Sequence, residues 1–110
     1  MSSVMLFDVA TGTTDVLSDT AYPAGLAMDG AHVVWSEVVG RQASGIATFL
    51  NSEVPDSDLM AFSLATSAFI VVVHQRGQQG FPSLKGRLLA WQDSVGGADD
   101  IYSGTLPAGI

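Results

Sequence analysis

Histidine is the side chain of this sequence best suited to acid–base or metal chemistry, and there are two, His32 and His74. His32 falls inside a predicted strand and His74 ends one, and the two show no metal-ligand spacing. We therefore predict that both are packed or rim residues rather than metal ligands or general bases. The sequence also contains no G-x-S-x-G, Walker, G-x-G-x-x-G or H-E-x-x-H motif. These observations predict no catalytic residue, and a protein that is not an enzyme.

Carboxylates are concentrated in the loop 93–100, which contains Asp93, Asp99 and Asp100. Such a loop could gather oxygen atoms around Ca²⁺, but it lacks the alternating oxygen spacing of a calcium-binding loop. Asp93 and Asp100 also match Glu37 and Asp58 in an internal repeat, which favours a structural role near the hairpin turn. The sequence therefore predicts no metal and no cofactor.

The elements that carry these residues are repeated along the chain. Residues 29–37 return as 85–93, which places Trp35 and Trp91 56 positions apart (91 − 35). A second segment occurs three times, at 4–12, 59–67 and 101–109, with offsets of 55 (59 − 4) and 42 (101 − 59). Periods of about 40–50 residues are typical of units that stack on one another because none can bury a face alone.

Each repeat is predicted to consist of β-strands. Asp29-Gly30 lies between two apolar runs and predicts a hairpin with a type I′ turn, and Lys85-Gly86 takes the same place in the second copy. Nine strands are expected, at about 4–9, 14–18, 24–28, 31–37, 58–64, 68–74, 81–84, 87–93 and 100–106. Four strands per repeat with hairpin connections are typical of β-propeller blades.

The repeat resembles that of TolB-type propellers: a turn glycine, a strand ending Val-Val-Trp-x-(Asp/Glu), Asp-Ile-Tyr and then Leu-Ala-Thr-Gly. The matching segments are 30–37 with 58–67 and 86–93 with 100–109. The resemblance implies an all-β fold, a partial β-propeller of about two four-stranded antiparallel blades. The chain is then one repeat domain, 1–110, with partial blade strands at 1–20, blade one at 21–75 with an insertion at 40–55, and an incomplete blade two at 76–110.

Two blades cannot close a ring, and their open faces and strand edges would expose apolar surface. We therefore expect the chain to form a homo-oligomer, for example three chains of two blades. Two blades need eight strands, so the strands at 4–9 and 100–106 would compete for one position between chains. Alternatively, the chain is a piece of a longer propeller.

The strand at 68–74 is apolar on both faces, which predicts burial on both sides or an aggregation-prone edge. Either the insertion at 40–55 or a neighbouring subunit would cover it. The predicted oligomer interface therefore consists of Phe69, Ile70, Val71, Val72 and Val73. Trp35 and Trp91 are predicted to pack between blades rather than to form a sugar platform. Tyr22, Phe81 and Tyr102 are better candidates for such a platform.

Composition limits the partners. The net charge of −7 and the absence of a basic stripe argue against nucleic acid and anionic membrane surfaces. Residues 59–75 carry no Asp, Glu, Lys or Arg, but serine and threonine interrupt them and they match a repeated strand, so no membrane span is expected. The predicted function is a self-associating scaffold or binding module, with protein or carbohydrate as a further partner. The alternatives are an accessory propeller segment of a larger hydrolase and a lectin-like carbohydrate-binding module.

Overall fold

The computed structural model describes residues 2–38, 56–94 and 96–107, which form eight β-strands and no helix. The all-β prediction is confirmed. The strands are β1 (Ser2–Asp8), β2 (Thr13–Asp29), β3 (His32–Val38), β4 (Ser57–Ser63), β5 (Phe69–Val73), β6 (Gln79–Lys85), β7 (Leu88–Asp93) and β8 (Asp100–Thr105). They form two antiparallel sheets, β1-β2-β3-β4-β5 and β6-β7-β8, each with sequential strands as neighbours. The insertion at 40–55 lies outside the described residues.

The strand count differs from the expected nine because the segments at 14–18 and 24–28 belong to one strand, β2. Its first half pairs with β1 and its second half with β3, and the register shifts between Ala21 and Leu26. Gly25 has a φ of 92° at this irregularity. The chain therefore changes partner through a bulge within β2, where Gly25 takes a conformation that favours glycine.

The turn type also differs from the prediction. The two hairpins form, but their central residues are Gly30-Ala31 and Gly86-Arg87, one position later than the predicted Asp29-Gly30 and Lys85-Gly86, and φ is 58° and 60° at these glycines. A type I′ turn needs a positive φ at both central residues, but Ala31 and Arg87 do not have one. A positive φ at the first central residue alone is the feature of type II′, which glycine also favours.

The pairing register repeats together with the sequence. Every pair between β1 and β2 from Val4 onward to Phe7 becomes a pair between β4 and β5 when 55 (59 − 4) is added to both numbers. The matching pairs are Val4–Ser18 and Leu59–Val73, Met5–Val16 and Met60–Val71, Leu6–Asp15 and Ala61–Ile70, and Phe7–Thr14 and Phe62–Phe69. The first two strands therefore repeat the hairpin formed by β4 and β5.

The pairs between β3 and β4 also recur as pairs between β7 and β8. The offset is 56 from β3 to β7 (91 − 35) and 42 from β4 to β8 (102 − 60). Trp35 pairs with Met60, and Trp91 with Tyr102. Three structural layers follow: an N-terminal hairpin (β1 and residues 13–20 of β2), a central sheet (residues 21–29 of β2 with β3, β4 and β5), and a C-terminal sheet (β6, β7 and β8).

Two apolar clusters join the layers. One contains Val4 and Ala21 with Val33, Trp35 and Phe62, and it joins the N-terminal hairpin to the central sheet. The other contains Val34, Leu59, Ala61 and Val73 with Leu89 and Leu106, and it joins the central sheet to the C-terminal sheet. Successive residues of a strand point to opposite faces, so the alternation in β3 and β4 supplies both clusters. The central sheet therefore packs against another layer on each face.

Candidate functional site

A buried polar cluster connects the central sheet to the C-terminal sheet. Ser36 lies near the end of β3 and Ser57 begins the neighbouring strand β4. Their hydroxyl groups donate to the carbonyl oxygen of Gln79 over 2.6 Å and 3.1 Å. The Gln79 side chain in turn donates to Asp93 Oδ1 over 3.1 Å. All four residues are completely buried. The hydrogen bonds fix the position of β6 against three other strands, which is a structural role.

Each tryptophan donates its indole N–H to the carboxylate two residues further along the same strand. Trp35 Nε1 donates to Glu37 Oε1 over 2.7 Å, and Trp91 Nε1 donates to Asp93 Oδ2 over 2.8 Å. Residues two apart in a strand lie on the same face, so the spacing Trp-x-(Asp/Glu) brings these groups together. The repeated carboxylates thus fix the orientation of the indole rings.

The two carboxylates differ in burial, and this difference gives a testable prediction. Asp93 is completely buried and Glu37 half-buried. Asp93→Ala removes a buried acceptor from both Trp91 and Gln79, and we expect it to lower the free energy of unfolding by about 1–3 kcal/mol. For Glu37→Ala we expect a smaller loss, about 1 kcal/mol, because water reaches Ser18 and Thr20, which also donate to the half-buried Glu37, and the indole N–H of Trp35 is the one buried donor that loses its acceptor. Urea unfolding of both variants measures the difference, and an equal or reversed order would contradict it.

The structure places the two histidines at opposite ends of the β3–β4 pair. His32 begins β3, is buried and pairs with Ser63. His74 follows β5, and its Nδ1 lies 2.6 Å from Asp58 Oδ2. The side chain of His74 is 64% exposed, and that of Asp58 is 8% exposed. The described residues contain no group of three or more His, Cys, Asp or Glu residues placed to hold a metal ion.

The acidic loop joins β7 to β8 rather than forming a separate site. Asp93 faces the interior and accepts hydrogen bonds from Gln79 and Trp91. Asp100 is exposed and pairs with Asp93 across the hairpin, as Asp58 pairs with Glu37 in the central sheet. The structural role expected from the repeat agrees with these contacts.

Trp35 and Trp91 lie in the two apolar clusters, on either side of the central sheet. Trp35 is 1% exposed and belongs to the cluster beneath the N-terminal hairpin. Trp91 is half-buried, packs against the other cluster and stacks on Tyr102 with ring centroids 6.1 Å apart. Both indoles therefore contribute to packing between layers.

The residues of β5 proposed as an oligomer interface are exposed in alternation. Phe69 and Val71 are about half exposed, whereas Ile70 and Val72 pack against the cluster between the sheets and Val73 is buried. Phe69 also contacts the Phe62 ring at a centroid distance of 4.8 Å. Strand β5 is the outer strand of the five-stranded sheet, so one of its edges is unpaired among the described strands.

Two further apolar faces emerge only from the structure. The outer face of the N-terminal hairpin carries Met5, Phe7 and Val16, which are 60%, 58% and 59% exposed. The outer face of the C-terminal sheet carries Leu88 and Ile101, which are 59% and 75% exposed. We refer to these as the N-terminal face and the C-terminal face. Residues 4–7 of β1 are apolar without interruption, so the sequence marks this strand as apolar on both faces but does not show which face is covered.

No family model matches this chain, and no curated protein matches it. The similarity to TolB-type repeats therefore remains a prediction from the motif residues. Across the described residues, no helix is both long enough and apolar enough to cross a membrane. Residues 59–75, which the sequence presents as an uncharged run, contain strands β4 and β5 instead.

Proposed function

We propose that this chain is a non-enzymatic β-propeller-like scaffold or binding module that acts by self-association. The observation that carries the proposal is the repetition of one antiparallel unit at a constant register, with an exposed apolar face at each end of the stacked layers. Repeat units bury each face on a neighbouring unit, and an exposed apolar sheet face favours association.

The central sheet supports the propeller as the form of the assembly. It has four antiparallel strands connected in sequence, and another layer packs on each of its faces. A ring of such sheets leaves no face open. Three chains that each supply two four-stranded blades would complete a six-bladed ring, with the half-exposed strand β5 as one contact surface.

Charge sets the conditions for assembly. Each copy carries a net charge of −7, so copies repel one another over a distance that salt shortens. We expect association to strengthen as ionic strength rises. The same negative charge disfavours nucleic acid as a partner.

The native mass tests the proposal. Light scattering or sedimentation velocity at micromolar concentration and 0.15 M salt should give a discrete multiple of the 11.4 kDa chain, three for a six-bladed ring. Raising the salt to 0.5 M should increase the assembled fraction. A mass of 11.4 kDa at every salt concentration would refute self-association.

A further inference from the structure

Layers inside the chain stack by one rule. In each of the first two layers, one face holds the side chains at the repeat positions of Leu59 and Ala61. That face packs against the layer that follows along the chain. In the N-terminal hairpin these positions are held by Val4 and Leu6, which pack on the central sheet. In the central sheet, Leu59 and Ala61 themselves pack on the C-terminal sheet. The same contact therefore occurs twice within one chain.

The N-terminal face and the C-terminal face are equivalent to the two surfaces that meet in this contact, but neither has a partner layer among the described residues. Ile101 is the register equivalent of Leu59, yet Ile101 is 75% exposed and Leu59 is 0% exposed. Phe7 is the equivalent of Phe62, and their exposed fractions are 58% and 8%. Ile101 and Phe7 therefore hold positions that are buried in the layer where a neighbour is present.

We propose that the N-terminal face of one copy docks on the C-terminal face of a second copy, in a head-to-tail contact. This inference rests on the proposed self-association and specifies the surfaces that meet. Met5, Phe7 and Val16 of one chain would cover Leu88 and Ile101 of the next. The contact continues the stacking that the chain already makes twice, and it needs no change in either sheet.

The contact joins two different surfaces, so it is heterologous. An isologous dimer, which has a single interface on its two-fold axis, would place like face on like face, and neither internal contact uses that pairing. A heterologous contact leaves one free face on each end of a short assembly until the rotation per copy closes a ring. Each chain contributes three layers to such a ring, so two chains would give six layers (2 × 3) and three chains nine (3 × 3), and either ring has a discrete mass.

Cysteine cross-linking tests the pairing, because the natural chain has no cysteine. Phe7→Cys and Ile101→Cys would be prepared separately, mixed, allowed to assemble and treated with a short bis-maleimide. We expect a cross-linked dimer in the mixture and none in either variant alone. Thr66→Cys, at an exposed turn between β4 and β5, mixed with Ile101→Cys is the matched control and should give none.

Each result has one meaning. A monomeric native mass refutes the proposed function and this inference together. If the natural protein assembles but the mixture gives no cross-link, the head-to-tail contact is refuted and self-association is not. The same conclusion follows if either single variant cross-links with itself. Phe7→Ser provides a second measurement, and we expect it to raise the dissociation constant roughly ten- to hundredfold, as for loss of one buried phenylalanine. An unchanged dissociation constant would refute the contact.

Discussion

Replacing Trp35 with alanine is expected to lower the free energy of unfolding by about 3–5 kcal/mol, a large part of the stability of a domain of this size. Trp35 is 1% exposed and contacts both the N-terminal hairpin and the central sheet through one cluster. Its ring also lies edge-on to Phe69 at a centroid distance of 6.3 Å. Truncation leaves a cavity between the N-terminal hairpin and the central sheet, and it removes the donor to Glu37.

The repeat provides the matched control for this experiment. Trp91→Ala removes the same side chain at the equivalent strand position, but Trp91 is only half-buried, so we expect a smaller loss. The chain has two tryptophans, so each variant keeps one as a fluorescent reporter of urea unfolding. Equal losses in the two variants, or a negligible loss for Trp35→Ala, would show that the N-terminal hairpin does not enclose Trp35.

Local sequence sufficed to locate the strands, because alternating apolar residues and turn glycines mark both their span and their ends. The repeated sequence is matched by a repeated register, since Trp35 pairs with Met60 and Trp91 with Tyr102 at equivalent positions of the two sheets. The continuity of β2 was not predictable in this way. It depends on partners at both ends of the strand, β1 and β3, which are distant in sequence.

Burial was the property least accessible from the sequence. Phe7 and Phe62 occupy the same position in two copies of one segment, yet their exposed fractions are 58% and 8%. Glu37 and Asp93 diverge in the same way. A repeated segment has one local pattern, whereas exposure depends on which layer covers it. The candidate contact faces therefore appear only when the layers are assembled, and the buried Gln79 likewise has no local signal.

The second large effect is a difference in the free energy of unfolding between alanine variants of two adjacent leucines of β7. Leu89 is 1% exposed and lies in the cluster that joins the central and C-terminal sheets, and Leu88 is 59% exposed on the opposite face. We expect Leu89→Ala to lower the free energy of unfolding by about 2–5 kcal/mol, because it opens a cavity between the two sheets. Leu88→Ala should change it by no more than about 0.5 kcal/mol.

Both variants should be compared by urea unfolding at a protein concentration where the chain sediments as a single copy, because association stabilises whichever form assembles. At a higher protein concentration, where copies associate, the two substitutions should affect association in the opposite order. Leu88→Ala should weaken association, since Leu88 belongs to the C-terminal face. Leu89→Ala, where still folded, should assemble like the natural chain. A loss of stability from Leu88→Ala equal to that from Leu89→Ala would mean that β7 is buried on both faces within one chain, and the C-terminal face would then offer no contact surface to a second copy.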